Sequence, residues 1–285
     1  MHTVPLDQAA NLRPSPPAPR PWSVAVTSGK GGVGKTSVAV NLALTWAQAG
    51  RRTCLLDGDL GLANADVFLN LHPRYSLRDV IAGAKTLEEV VLVGPAGLRV
   101  IPAASGVEAL ANLTGPARRA LAHQLRDLGT LADVAVLDTG AGISQMVLSL
   151  VLAADEALIL TTPEPPALTD AYAMVKILTH RRPGLPLSLI VNLVEQAAQA
   201  QEVHGHLNGI IRRFLRREIP LAGWIPRDEC MERAVREQRP LSVYFPYARA
   251  TEAIRRIART LGARAHGSGT PGEFWMRLAT SMEDP

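Results

Sequence analysis

The sequence predicts an α/β protein: a mostly parallel, twisted sheet with helices on both faces. Three observations point there. Short apolar runs rich in Val, Leu and Ile recur along the chain. Amphipathic helical patterns separate them, the alternation expected when both faces of a parallel sheet are covered. The chain has 285 residues with 47% hydrophobic content, enough for one large α/β domain, or at most two small ones, with a well-buried core.

The elements follow in order. Residues 1–21 read as a polar, proline-rich tail, because "PSPPAPRP" at 14–21 suits neither a helix nor a central strand and favours extended chain. The strand candidates are "WSVAVTS" 22–28, "TCLLD" 53–57, "LRVIP" 98–102, "DVAVLD" 133–138, "EALILTT" 156–162, "LSLIVN" 187–192 and "LAGWIP" 221–226. Helical patterns between and after them include 35–50, 115–129, 167–182 and 250–264. The folded domain is therefore expected over 22–265. Residues 266–285 form a linker, "HGSGTPG", and a short segment, "EFWMRLATSM", which would place Phe274, Trp275, Leu278 and Met282 on one side of a helix.

Composition removes several classes of function. Two cysteines, Cys54 and Cys230, lie far apart and form no CxxC pair, so a cysteine-held cluster or zinc ribbon within one chain is not expected. No apolar run reaches the ~18 residues of a membrane span, and the amino terminus has no apolar signal core. The expected location is the cytoplasm. A net charge of +4, carried mostly by Arg, favours anionic partners without choosing among them. There is no H-E-x-x-H and no G-x-S-x-G. His204 and His206 have no neighbouring carboxylate–histidine cluster to complete a metal site.

The chemistry concentrates in "SGKGGVGKTS", 28–37. Gly29, four residues, then Gly34-Lys35-Thr36 fits the phosphate-loop pattern between a strand and a helix. Gly29, Gly31, Gly32, Val33 and Gly34 would turn backbone N–H groups onto phosphate oxygens, and Lys35, Thr36 and Ser37 would continue the cradle into the helix N-terminus. Lys35 should reach the β- and γ-phosphates, and the Thr36 hydroxyl should ligate Mg²⁺. Gly29-x-Gly31-x-x-Gly34 also fits a dinucleotide fingerprint with Asp57 as the ribose acid. The Lys-Thr pair after Gly34 argues against it, since a pyrophosphate turn has no use for either residue there.

Two acidic strand ends complete the picture. "DGDLGLANAD", 57–66, brackets one residue with two carboxylates, where an acid can orient water for in-line attack or sit near Mg²⁺. "DVAVLDTGAGIS", 133–144, is a buried strand delivering Asp138 to the metal, followed by Gly140 and Gly142 in a loop with room to move near a γ-phosphate.

"KGGVGKT" resembles the deviant phosphate loop of the MinD/ParA ATPases, P-loop NTPases of the SIMIBI class. The resemblance implies that Lys30 reaches across an ATP-dependent homodimer to the partner's nucleotide. It implies that Asp59 positions the attacking water, that Asp57 supports the Mg²⁺ shell, and that Asn192, Pro226 and Arg227 flank the adenine. Asn64 and Asp66 would belong to the switch. Longer stretches, "DGDLGLANADVFL", "LDTGAGIS" and "TTPEPPALTDAYAMVK", look like the flagellar-number regulators of the FlhG type (FleN/YlxH). The last run is the more telling, because nucleotide chemistry does not require it.

That resemblance gives meaning to "DQAANLR" at 7–13. FlhG-type proteins carry a similar element that activates the signal-recognition-type GTPase FlhF. Asp7, Gln8, Ala9, Leu12 and Arg13 match it. Basal-body C-ring proteins or a flagellar transcription regulator are further partners the resemblance implies. So is peripheral contact of the carboxy-terminal segment with the inner membrane, although 273–282 would be only ~15 Å long as a helix and its surroundings are acidic. Two other functions share these motifs. One is a ParA-like partition ATPase holding DNA non-specifically, which the FlhG-like stretches disfavour. The other is an adaptor that binds ATP without needing turnover.

Overall fold

The computed structural model describes residues 22–59, 65–102, 132–263 and 277. The helix expected over 115–129, Asn64, the tail residues Asp7, Gln8, Ala9, Leu12 and Arg13, and the apolar Phe274, Trp275, Leu278 and Met282 lie outside them.

In chain order the strands are β1 (Trp22–Ser28), β2 (Thr53–Gly58), β3 (Leu92–Val93), β4 (Arg99–Ile101), β5 (Val134–Ala141), β6 (Glu156–Thr161), β7 (Leu187–Val194) and β8 (Leu221–Pro226). The helices are α1 (Lys35–Gln48), α2 (Ala65–Phe68), α3 (Leu77–Ile81), α4 (Leu87–Val90), α5 (Gln145–Ala153), α6 (Pro165–Arg181), α7 (Ala197–Leu215), α8 (Glu229–Arg236), α9 (Leu241–Tyr244) and α10 (Arg249–Gly262). The strands form one sheet in the order β3-β4-β2-β5-β1-β6-β7-β8. Every neighbouring pair is parallel except β3–β4. This is the mostly parallel architecture expected from the alternating runs.

The strands read as continuous apolar runs because both faces are covered. Side chains alternate between two cores with the strand's period of two. Val24 and Val26 of β1 face a core shared with α1 and α10, built on Leu42, Leu44, Ile254 and Ile257. Ala25 faces the opposite core, shared with α5, α6 and α7 through Leu148, Met174, Leu178 and Leu207. Leu158 and Ile159, adjacent on β6, divide between the cores in the same way. Each such side chain contributes about 1.5–3 kcal/mol by leaving water. Near the first of these cores Trp22 meets Trp46 edge-on, with ring centroids 5.5 Å apart. The Trp46 indole N–H donates to the Ala258 carbonyl at 3.2 Å, tying α1 to α10.

The amino ends of the strands are closed by bonded charge. Asp155 Oδ2 accepts from both Ser23 N (2.9 Å) and Ser23 Oγ (2.6 Å), joining the starts of β1 and β6. Arg277 donates to Asp155 Oδ1 at 2.8 Å and to the Ala153 carbonyl at 3.0 Å. Arg182 donates to the carbonyls of Leu152 and Ala154 at 2.7 and 2.6 Å. Buried Glu156 accepts from Ser188 Oγ at 2.7 Å. Among the described residues no helix is long and apolar enough to cross a membrane.

Candidate functional site

The site lies at the opposite, carboxyl ends of the central strands, where ligands of open α/β sheets bind. Strand β1 runs into the loop 29–34 and then α1. Gly32 (φ +78°) and Gly34 (φ +92°) adopt the left-handed backbone that only glycine takes at little strain. Gly34 is the residue before α1 and offers no side-chain cap. The first-turn N–H donors of α1 are therefore left for an anion. Gly29 is required for a second reason. A Cβ there would lie 2.3 Å from the carbonyl oxygen of Asp170 on α6. The loop is packed directly on that helix's backbone.

Three carboxylates converge on this loop. Asp57 and Asp138 are direct neighbours across the β2–β5 pair, and Asp138 is also the partner of Val26 on β1. Both Asp138 oxygens are buried without a hydrogen-bond partner. Burial foremost, with the charges of Asp57 and Asp59 adding to it, pushes its pKa up to about 7. The nearby Thr36 hydroxyl and then Lys35 pull the other way. Lys35 is buried, and desolvation lowers its pKa against the opposing pull of Asp138 and then Asp59. A buried, unbonded carboxylate beside a buried ammonium is costly by itself. It is the arrangement that bound phosphate and a divalent cation would satisfy.

Asp57 acts differently. Its Oδ1 accepts from Asp59 N and its Oδ2 from Ala65 N, each at 3.0 Å, so one carboxylate holds both ends of the segment between. Asp59 lies beside Gly140: a Cβ there would stand 3.7 Å from Asp59 Oδ1, an ordinary contact, and 3.3 Å from Val147 Cγ2. Gly142 N donates to the Ser28 carbonyl at 3.0 Å, linking the loop after β5 to the end of β1. No group of three or more His, Cys, Asp or Glu is gathered for a metal among the described residues. Asp138 with the Thr36 hydroxyl fits Mg²⁺, which ordinarily takes one or two carboxylates and completes its shell with substrate phosphates and water.

Beside the loop lies a cavity of about 320 Å³ lined by Gly32, Gly34, Ser37, Asn192, Leu193, Met231, Glu232 and Val235. That is within the range of ligand pockets. Asn192 Nδ2 donates to the Val33 carbonyl at 2.8 Å, fastening β7 to the phosphate loop. Asn192, predicted from sequence, is thus in the wall. Pro226 and Arg227 stand next to it: Arg227 N donates to the Val194 carbonyl at 2.9 Å, and its guanidinium faces Glu195 and the cavity residue Glu232 at 3.6 and 3.9 Å. Lys30, on the open side of the loop, pairs with Glu164 at 3.2 Å.

Met231, Glu232, Val235, Glu164 and Asp170 were not singled out by the sequence. The first three ride on α8, a helix just after "IPRDE". The other two sit in "TTPEPPALTDAYA", the run noted as unnecessary for nucleotide chemistry.

A family model described as ParA, NUBPL iron-transfer P-loop NTPase, matches residues 22–262. The chain belongs to the ParA/MinD family of P-loop NTPases. Within that family, it is 42% identical to the antiactivator FleN of Pseudomonas aeruginosa over 83% of this chain and 84% of that protein. It is 34% identical to the flagellum site-determining protein YlxH of Helicobacter pylori, over 84% and 81%. These matches place it close to the FlhG-type members of the ParA/MinD family. Its fold matches the septum site-determining protein MinD of Pyrococcus horikoshii complexed with Mg-ADP. That match has a TM-score of 0.70 and 26% identity over 86% of this chain and 97% of that one.

Proposed function

We propose that the chain is a Mg-ATP-dependent ATPase that dimerises with itself and regulates flagellar number or placement. The observation that carries the reading is the convergence of Lys35, Thr36, Asp59 and unbonded Asp138 at one loop, in a chain 42% identical to FleN. Mg-ADP in the related MinD supports the nucleotide and the metal.

In this reading the loop amides and Lys35 hold the phosphates, and Asn192 with Met231 and Val235 encloses the base. Mg²⁺ held by Thr36 and Asp138 would neutralise phosphate charge. Asp59 orients the attacking water for in-line displacement, on a segment that Asp57 holds by both ends. Gly140 and Gly142 let the loop after β5 follow the γ-phosphate. Lys30 extends to the nucleotide of a second copy. The name FleN suggests a transcription activator as one output, and C-ring proteins are another. The tail residues Asp7, Gln8, Ala9, Leu12 and Arg13 would activate the GTPase FlhF. Phe274, Trp275, Leu278 and Met282 would touch the inner membrane peripherally while the protein stays otherwise cytoplasmic.

Two measurements test this. Asp59→Ala should accumulate an ATP-bound dimer in sedimentation velocity; a variant that stays monomeric in saturating Mg-ATP removes the dimer switch. A GTPase assay on the partner should show stimulation by the full chain and by a peptide of residues 1–21, and none by a chain lacking 1–13. Absence of stimulation by either the chain or the peptide removes the role given to the tail.

A further inference from the structure

We propose that Glu164 is an intrachain latch on Lys30 that sets how readily two copies of this chain associate in ATP. The inference rests on the dimer reading above and concerns its regulation.

Lys30 Nζ lies 3.2 Å from Glu164 Oε2 within one chain. The latch requires that Lys30 leave this carboxylate to reach a second copy's phosphates. The neighbours of both residues are rigid. Glu164 is the residue before α6, and Pro165 and Pro166 fix the first turn that follows. The Lys30 carbonyl accepts from Ser28 Oγ at 2.6 Å. Gly29 packs against the Asp170 carbonyl, six residues further along α6, so loop and helix are in close contact. What is left to move is the Lys30 side chain. The run "TTPEPPALTDAYA" acquires a purpose here: it seats the phosphate loop and presents the latch.

The latch is weak by construction. The two side chains are 41% and 64% exposed, so the pair holds with a factor of about 1.4 to 5. After release, Glu164 stays beside the positive end of α6, which limits the penalty of losing Lys30. A two-fold symmetric dimer must open two latches, so the factor is squared. Removing the carboxylate should therefore tighten association about 2- to 30-fold.

The test uses the full chain carrying Asp59→Ala to block turnover, with and without Glu164→Gln or Glu164→Ala. Dimer dissociation constants are measured by sedimentation in saturating Mg-ATP at low and high salt. The expected result is a lower constant for both Glu164 variants, by the factor above at low salt and by less at high salt, where the native pair is screened. Unchanged or weaker dimers in the Glu164 variants overturn the latch, because Glu164 then has no role or serves the interface itself. No dimer in either background overturns the dimer reading, and the latch with it.

Discussion

The two ends of the same sheet are built on opposite rules. At the amino ends buried and half-buried polar groups are bonded: Asp155 to Ser23 and Arg277, Glu156 to Ser188, Arg182 to two carbonyls. At the carboxyl ends Asp138, Thr27 and Thr162 carry buried oxygens without hydrogen-bond partners. Satisfied groups hold a structure together, whereas unsatisfied ones store affinity for something not yet bound. For Asp138 the contrast marks site over scaffold without reference to any relative; it does not do so for Asp57, which is bonded through both oxygens.

The largest effect should come from the site end. Asp138→Ala is expected to lower ATP turnover at least 100-fold while the stability of the nucleotide-free chain changes by less than about 2 kcal/mol, because losing a buried, unbonded carboxylate offsets losing the counter-charge of Lys35. Thermal melts and a phosphate-release assay measure both halves; a strongly destabilised variant would erase the contrast between the ends. The converse holds at the other end. Asp155→Ala removes the carboxylate that Ser23 and Arg277 share and should destabilise by about 2–3 kcal/mol, while kcat/KM measured well below the melting temperature changes less than about twofold.

Gly29→Ala probes the boundary between the two rules. Its Cβ would meet the Asp170 carbonyl at 2.3 Å. We expect overpacking of about 1–3 kcal/mol together with weakened nucleotide binding, seen by calorimetry. Normal nucleotide affinity would separate the loop from α6.

The last test is pH dependence. Asp138 titrates near 7 in the folded chain against an ordinary 3.8. Between those values the unfolded state binds fewer protons than the folded one, so this group removes stability as pH rises, by up to about 4 kcal/mol in the limit and less in practice. Unfolding midpoints at pH 5 and pH 7.5 should show Asp138→Asn lacking that decline. Identical pH profiles for the two chains would mean that the carboxylate is not buried as described.

What was legible in the sequence was local. The phosphate loop, Asp57 and Asp138 were readable because a strand, its end and the following turn are contiguous, and register then makes Asp57 and Asp138 neighbours. Asn192 was placed through resemblance and lies in the cavity wall. Glu164, Asp170 and the α8 residues escaped because their meaning is tertiary: Lys30 and Glu164 are 134 residues apart. Nothing in "PEPP" announces a lysine opposite it. Edge strand β3 is two residues long, too short to leave a periodic signal.

That edge bears on how the molecule avoids the wrong company. Among the described residues the eight-stranded sheet ends in two edge strands, β3 and β8, and any unpaired strand is a template for another chain. On one flank β3 runs antiparallel and stops after two residues. On the other, β8 pairs with irregular register and carries Gly223 at φ +157°. Neither offers a long flat ladder. Sheet-to-sheet growth is discouraged at both sides, and in the proposed dimer self-association would fall to a surface that opens and closes with a small molecule.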